Sequence, residues 1–329
     1  MVNKGLSITE SAILRQLELN ARLPFSKIGK KLRMSQQRVS YAVDSLIKKN
    51  IIEQFYTLID YSKFDVMNFR VYFKVNYTTQ DEFNQLIEHL KKEPSTSWIA
   101  NCGGRYDLIC TFLAYNPSSF NKTLKEIMRK FPKQLENYTI LTTIVSRSFG
   151  RKYLFQKVKS FPQENIVGGD RKPEIVDETD LKILSLLAPN ARVSAVEIAN
   201  KLELTAKTVI ERIKKLQKRE IIRSFKQALN VRQMRDMVFV VAIKEHNVVP
   251  EAEDELMNYL KIHPNVVNVV KTLGEWDMEI QIEVENWDIF RSIVIGLRQK
   301  FKSLIQDIEN IPIYKTYHKI NYFPGFLVE

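Results

Sequence analysis

Cysteine is scarce in this chain: Cys102 and Cys110 are the two cysteines among 329 residues. Two thiols can neither build a disulfide framework nor supply a four-ligand zinc site. They could face each other across a hairpin as a redox pair. The favoured interpretation is two unrelated thiols in the protein core.

Long apolar runs are also missing, since none approaches the roughly 18 residues that a membrane-spanning helix requires. The first residues, MVNKGLSITES, lack the apolar core of a signal peptide. Hydrophobic residues make up 44% and charged residues 27% of the chain, as in ordinary globular proteins. We therefore expect a cytoplasmic protein without a membrane partner.

Motifs for catalysis are absent as well. The sequence has no glycine-rich phosphate loop, no cluster of metal ligands and no nucleophile spaced next to a base. From the sequence we therefore expect neither catalytic residues nor a metal site nor a cofactor.

An internal repeat is the most informative feature that is present. NARLPFSKIGKKL at residues 20–32 is followed 170 residues later by NARVSAVEIANKL at residues 190–202. Over residues 20–55, twelve of 36 positions are identical to the residue 170 positions later. Solenoid repeats are much shorter than this. The chain therefore consists of two copies of a domain-sized unit.

The net charge of +12 is distributed unevenly over these copies. Residues 1–60 have ten Lys/Arg and five Asp/Glu, and residues 171–230 have thirteen and eight, so each carries +5. Residues 61–165 have sixteen and nine, giving +7, whereas residues 231–329 have eleven and fifteen, giving −4. The first parts of both copies are thus equally basic, and the second parts have opposite signs.

Each copy begins with three short helical patterns. The third, SQQRVSYAVDSLIKKN or TAKTVIERIKKLQKRE, places apolar residues on one face and starts at Ser35 or Thr205. A serine or threonine at this point can cap the helix by accepting a hydrogen bond from a free backbone amide. Extended segments follow at residues 51–59 and 221–230, which we interpret as a hairpin. Three helices and a hairpin predict a winged helix-turn-helix.

The rest of each copy has the pattern of a βαββαβ unit. FRVYFKV at residues 69–75 alternates apolar and polar side chains, as a half-buried strand does. The predicted fold class is α+β, with two winged helix-turn-helix domains alternating with two βαββαβ (ferredoxin-like) domains. The boundaries are 1–60, 61–155, a linker at 156–176, then 177–230 and 231–329.

This order of motifs resembles the leucine-responsive regulator (Lrp/AsnC) family. The resemblance rests on LRMSQQRVSYAVDSLIKKNII, LELTAKTVIERIKKLQKREII, GRYDL and GEWDM, and covers nearly the whole chain twice. It implies a transcriptional regulator that binds double-stranded DNA. Members of this family usually carry one copy per chain and dimerise through the βαββαβ unit. This chain is therefore similar to such a dimer with both subunits joined in one polypeptide.

The third helix of each copy is the candidate DNA reader, because the second helix of a helix-turn-helix enters the major groove. Gln pairs with adenine and Arg with guanine, whereas lysines near the helix end suit phosphates. The candidate residues are Ser35, Gln36, Gln37, Arg38, Ser40, Tyr41, Lys48 and Lys49, and in the second copy Thr205, Lys207, Thr208, Glu211, Arg212, Lys214 and Lys215. At Ile210 and Glu211 the second copy departs from the family pattern, so its third helix either recognises a different half-site or is itself a degenerate reader.

The Gly-x-x-Asp turns have two interpretations. The first is structural, with glycine supplying an unusual backbone angle and aspartate starting the next strand. The resemblance implies in addition that a small effector, often an amino acid, binds near the turn. The candidate residues are Gly103, Gly104, Arg105, Tyr106, Asp107, Gly274, Glu275, Trp276 and Asp277. Arg105 could pair with a carboxylate, which Glu275 at the matching position could not.

The alternative function is enzymatic, because sirohaem decarboxylases share this two-part architecture and use basic and histidine residues around a tetrapyrrole. The histidines here are His89, His246, His263 and His318, and none has a histidine at the matching position of the other copy. The regulator is therefore the main prediction.

The opposite charges predict how the two βαββαβ units associate. Contact between unlike units brings +7 and −4 together, whereas contact between identical units brings like charges together. We therefore expect an intramolecular pseudo-dimer, which could assemble further into homo-oligomers.

Overall fold

The computed structural model describes residues 6–76, 79–155, 162–234, 237–317 and 321–328. The first copy contains, in chain order, α1 (Ile8–Leu19), α2 (Phe25–Leu32), α3 (Gln36–Lys48), β1 (Ile52–Ile59), β2 (Met67–Val75), α4 (Gln80–Lys92), β3 (Thr96–Cys102), β4 (Leu108–Ala114), α5 (Pro117–Lys130) and β5 (Leu135–Ser148). After β6 (Asn165–Gly168), the second copy contains α6 (Glu178–Leu187), α7 (Ala195–Leu202), α8 (Ala206–Lys218), β7 (Ile222–Leu229), α9 (Val231–Met234), β8 (Met237–Glu245), α10 (Pro250–Ile262), β9 (Val266–Leu273), β10 (Met278–Val284), α11 (Trp287–Lys300) and β11 (Ile305–Tyr317). The predicted α+β class is confirmed, and the order of helices and strands in both copies is as predicted except for the hairpin after the third helix.

The helix caps are those that the sequence predicts. Ser35 Oγ accepts a hydrogen bond from the Arg38 backbone amide at 3.2 Å, and Thr205 Oγ1 accepts one from Thr208 at 3.1 Å. Because each cap satisfies an amide that has no partner inside the helix, it fixes the first turns of α3 and α8.

The strands β1 and β7 differ from the prediction of one hairpin in each copy. In the described residues each copy contributes a single strand, and the two pair antiparallel with each other, with Tyr56 opposite Lys226. We call this two-stranded sheet the ribbon. Because it takes one strand from each copy, it joins the two helix-turn-helix domains into one body.

The strands of both βαββαβ units form one closed barrel. Its eight strands follow the order β2–β4–β3–β11–β8–β10–β9–β5, and β5 pairs with β2 to close the ring. The two seams between units are the antiparallel pairs β3–β11 and β5–β9. The long strands β5 and β11 each pair with their own unit along the first part and with the other unit along the second part.

The two faces of each barrel strand have different environments. Phe69, Val71 and Phe73 pack outward against α4 and α5, in a cluster that includes Phe83 and Phe120. The second unit packs its own strands against α10 and α11 in the same way. The alternate residues point into the barrel, where side chains of both units form a shared cluster.

The segment 156–176, predicted to be a linker, is largely structured. Its first residues, 156–161, lie outside the described residues, but Asn165–Gly168 forms β6 and pairs with β5. Arg171 then contacts Asp60 at 3.2 Å, and Glu174 binds Lys63 at 2.9 Å. The connection between the copies is therefore anchored to the first one. No helix of the described residues is long and apolar enough to cross a membrane.

Candidate functional site

The exposed face of α3 carries most of the side chains predicted to read DNA. Gln36, Gln37, Arg38 and Tyr41 are exposed, and Ser40 is half-buried. Val39, Val43 and Leu46 on the opposite face are buried against α1 and α2. Ser35 is exposed but already occupied as the cap of the helix. The packing of one face thus leaves the polar face of α3 directed away from the protein.

The two lysines at the end of α3 have different environments. Lys48 is exposed, whereas the Lys49 ammonium lies 2.7 Å from a Glu10 carboxylate oxygen. A phosphate would therefore have to compete with Glu10 for Lys49, which makes Lys48 the simpler candidate.

The exposed face of α8 is more basic than that of α3. Lys207, Glu211, Lys214 and Lys215 are exposed, and Thr208 is half-buried with its hydroxyl 2.8 Å from that of Thr205. Four exposed lysines on this helix, these three and Lys218, outnumber its single glutamate.

Arg212 has a different position from the one that the helical pattern suggests. Its guanidinium lies 2.7 Å from carboxylate oxygens of both Asp177 and Asp180, and these hydrogen bonds raise the pKa of Arg212. Arg212 thus ties α8 to α6, and the predicted base contact would require breaking both ion pairs.

The duplicated Asn-Ala-Arg segment forms a reciprocal contact between the two helix-turn-helix domains. Arg22 donates to the carbonyl oxygens of Ala191 and Val193, the latter at 2.8 Å. Arg192 donates in the same way to Ala21, at 2.5 Å, and to Leu23. Each arginine of the repeat therefore binds the turn that contains the other one. We call this pair of reciprocal contacts the crossing.

Backbone and aromatic contacts reinforce this crossing. The Ala21 amide donates to the Phe225 carbonyl at 3.0 Å, and the Ala191 amide donates to Phe55 at 2.9 Å. The guanidinium of Arg22 lies 5.6 Å from the ring centre of Phe225, within the range of a cation–π contact. The crossing and the ribbon together hold α3 and α8 in a fixed relation.

The Gly-x-x-Asp turns have the predicted structural role. Gly104 has φ +91° and Gly274 φ +148°, angles that side-chain-bearing residues rarely adopt. Asp107 accepts a hydrogen bond from the Val75 amide at 2.9 Å, and Asp277 accepts one from Glu245 at 2.8 Å. Each aspartate therefore anchors its turn to the neighbouring strand.

The two turns meet at one end of the barrel. Arg105 forms an ion pair with Glu275, the residue at the matching position of the other copy. Tyr106 and Trp276 are buried beside them, with ring centres 6.0 Å apart. The predicted effector residues of both copies are thus brought together, but Arg105 already has a carboxylate partner.

A buried ion pair joins the two units inside the barrel. Arg70 of β2 lies 2.6 Å from Glu279 of β10, and the Tyr72 hydroxyl donates to the same carboxylate. Glu279 is 1% exposed. Burial raises the pKa of Glu279, and Arg70 and Tyr72 act in the opposite direction.

A second buried cluster connects α1 to the barrel. Arg151 donates from Nε and Nη2 to the two carboxylate oxygens of Glu283, both at 3.1 Å, and its backbone amide donates to Glu18 at 3.1 Å. The Tyr153 hydroxyl also donates to Glu283, at 2.5 Å. Glu283 is fully buried, so these contacts compensate a charge that water cannot reach.

A cavity of about 920 Å³ lies between the ribbon and the barrel interior. Its lining includes Arg70 and Glu279 from the barrel and Tyr56 and Lys226 from the ribbon. The 15% of the Arg70 side chain that is exposed faces this cavity.

The thiols and histidines do not form a reactive cluster in the described residues. Cys110 faces α4 and α5, whereas Cys102 faces the barrel interior, and burial raises the pKa of Cys102 to about 12. The interpretation as two unrelated core thiols is confirmed. His89, His246 and His263 do not line the cavity, and His318 lies outside the described residues.

The sequence analysis missed the residues that join the copies, namely Arg22, Arg192, Arg70, Glu279 and Arg151. A signal existed for Arg22 and Arg192, because both stand at the start of the longest shared segment. For Arg70 and Glu279 the signal lies in the repeat register, where the matching residues are Val240 and Ile109. A charge that replaces an aliphatic residue in one copy marks a contact between unlike units.

Comparison with known proteins gives matches in both copies. Residues 6–53 match the model for a winged helix-turn-helix DNA-binding domain, and residues 176–217 match that for an AsnC-type helix-turn-helix domain. The chain is 36% identical over 103 residues to the HTH-type transcriptional regulator Ptr1 of Methanocaldococcus jannaschii, covering 31% of this chain and 68% of that protein. It is 28% identical over 127 residues to the HTH-type transcriptional regulator LysM of Saccharolobus solfataricus, covering 39% and 87%.

Among solved structures, the siroheme decarboxylase NirDL has a similar fold. The TM-score is 0.62 over 96% of this chain and 94% of that chain, at 13% sequence identity. At this identity the likeness concerns the fold alone, in which two copies of both domains occur in one polypeptide.

Proposed function

This chain belongs to the Lrp/AsnC family of DNA-binding HTH-type transcriptional regulators, and we propose that α3 and α8 are its two DNA-reading helices. The observation that carries the proposal is the reciprocal crossing of Arg22 and Arg192, which fixes two capped helices with exposed polar faces relative to each other. Two recognition helices held in this way bind two DNA half-sites whose centres are separated by a whole number of helical turns, roughly 10 bp each.

Variants of α3 test this assignment. We expect Gln37→Ala with Arg38→Ala to reduce the preference for the cognate site over random duplex DNA by about 5- to 150-fold, because a bidentate base contact contributes about 1–3 kcal/mol of discrimination. Lys48→Ala should weaken binding to both DNAs equally and lower the salt slope by about one. The cognate site is first selected from a random duplex library, and affinities are then measured by competition.

Lys122→Ala is the matched control, since Lys122 is an exposed lysine on α5, outside the helix-turn-helix domains. It should leave affinity and discrimination unchanged. Full discrimination by the Gln37/Arg38 double variant would show that α3 does not read bases.

We also propose that an amino-acid effector acts at the paired turns. Its carboxylate would replace Glu275 as the partner of Arg105, and this would open an ion pair that joins the two units. A ligand shifts an equilibrium only through different affinities for two states. Opening this pair provides such a difference at the end of the barrel.

A thermal-shift screen against the amino acids tests the effector proposal. A ligand that binds the folded chain raises the unfolding midpoint. Glu275→Gln should strengthen the hit because it frees Arg105, whereas Arg105→Ala should abolish it. These variants are preferable to changes at Asp107, which anchors the Val75 amide. A hit that survives Arg105→Ala would place the effector elsewhere.

We further propose that the chain is a pseudo-dimer, in which the two βαββαβ units of one polypeptide pair with each other. Arg105 meets Glu275 and Arg70 meets Glu279 across the two units, so a unit paired with its own copy would lose both partners. This asymmetry supports pairing of unlike units within one polypeptide.

The relatives that match this chain are named as transcriptional regulators rather than enzymes. We propose that the chain is not a sirohaem decarboxylase, although NirDL has a similar fold. No histidine among the described residues lines the barrel cavity.

A further inference from the structure

The cavity between the ribbon and the barrel has the dimensions of a ligand site. Its volume of about 920 Å³ lies at the upper end of the 300–1,000 Å³ that is typical of small-molecule pockets. Its walls come from both units and from the ribbon, so it exists only when the two copies are assembled.

Lys226 is the unusual residue in this lining. It lies on β7 and is 6% exposed, and its ammonium group makes no hydrogen bond or ion pair within the described part of the chain. Burial lowers the pKa of its ammonium group. The nearby Glu18 carboxylate is occupied by Arg151 and Gln227. A buried cation without a partner is costly for the folded state unless an anion joins it.

The other buried cations around the cavity have partners. Arg70 is paired with Glu279, and Arg151 with Glu283. The lining as a whole contains six Lys or Arg and four Glu, an excess of two positive charges. Among the buried cations of this lining, Lys226 is the one without a carboxylate partner in the described residues, and together with the positive excess it favours an anionic ligand.

The neutral part of the lining is aromatic and polar. Tyr56, Tyr61 and Trp98 supply ring surfaces, and Asn268, Ser146 and Gln281 supply hydrogen-bonding groups. Such a surface suits an organic molecule with an apolar or planar body better than an inorganic ion.

We propose that the barrel cavity binds a small organic carboxylate whose anionic group pairs with Lys226. This site is separate from the paired turns at Arg105 and Glu275, which do not line the cavity. Lys226 pairs with Tyr56 in the ribbon that joins the two helix-turn-helix domains. A ligand held there contacts the element that positions α3 and α8, and its binding is linked to their arrangement.

A fluorescent anion tests the proposal on the full chain without DNA, so its outcome is independent of the DNA-reading proposal. The probe is 8-anilinonaphthalene-1-sulfonate, which combines an aromatic body with one negative charge. We expect one probe molecule per chain, with energy transfer from Trp98. Lys226→Met should raise the dissociation constant at least tenfold and also raise the unfolding temperature, because the unpaired buried charge is removed. Lys122→Met, at an exposed position on α5, should change neither.

Competition then identifies the class of ligand. Glutarate and benzoate are added separately, as an aliphatic and an aromatic carboxylate, and displacement by either of them supports the carboxylate site and indicates the class of its ligand. Three outcomes overturn the proposal: no probe binding, equal binding by Lys226→Met and the parent, or no displacement by any carboxylate.

Discussion

Replacing Arg70 by valine should lower the free energy of unfolding by about 3–5 kcal/mol, the usual cost of removing one partner from a buried ion pair. The reason is the position of Glu279, which is 1% exposed and 2.6 Å from Arg70. Without the guanidinium, the carboxylate must either stay charged in the barrel or take up a proton. The loss is measured by urea unfolding followed by circular dichroism.

A compensated variant separates this effect from simple loss of packing. Arg70→Val, Glu279→Ile and Tyr72→Phe together remove the cation, the anion and the hydroxyl that donates to it. Valine and isoleucine are the residues that the repeat itself has at the matching positions, 240 and 109. Replacing a whole buried pair by apolar residues is often neutral or stabilising.

We therefore expect the triple variant to recover most of the stability that Arg70→Val loses. It should also weaken the preference for unlike units, because one of the two ion pairs that distinguish them is gone while Arg105 and Glu275 remain. A triple variant less stable than Arg70→Val would contradict the role of this pair as a contact that distinguishes unlike from like units.

The local structure was largely predictable because its causes are local. Ser35 and Thr205 mark the starts of α3 and α8, and both side chains cap those helices as predicted. The apolar spacing of Val39, Val43 and Leu46 identified the buried face of α3 and hence the exposed one. These features depend on residues three or four positions apart.

The partners of the strands were less predictable. The sequence pattern after α3 indicates a strand. The alternation of its side chains does not indicate whether the strand that pairs with it lies in the same copy. The structure pairs β1 with β7, which corrects the predicted hairpins. The contact joins residues about 170 positions apart, beyond the reach of any local pattern.

The barrel interior shows why polar residues were misassigned. In FRVYFKV, Arg70 and Tyr72 alternate with apolar residues and therefore fit the solvent face of a half-buried strand. In a closed barrel that face is the interior, so these side chains lie in the core. Only the knowledge that the sheets of both units join could have placed them there.

Replacing Arg151 by methionine should also lower the free energy of unfolding by about 3–5 kcal/mol, and should loosen the first helix-turn-helix domain in particular. Arg151 is the cation between Glu18 of α1 and Glu283 of β10, at 3.8 and 3.1 Å. Its loss leaves two buried carboxylates near each other and weakens the link between α1 and the barrel, which then depends on the hydrogen bond from the backbone amide of residue 151 to Glu18. Hydrogen exchange should therefore rise more in α1 than in α6, for which the described part of the chain shows no such link.

Two variants control for this result. Arg147→Met breaks a more exposed ion pair with Glu164 and should cost less than about 1 kcal/mol. Arg151→Met with Glu283→Leu, the residue found at matching position 113, should recover part of the stability.

Because α3 is held through its own domain, Arg151→Met alone should also weaken the preference for one half-site spacing while leaving binding to a single half-site intact. Equal exchange in α1 and α6, with unchanged spacing preference, would show that the crossing of Arg22 and Arg192 is sufficient to position the readers.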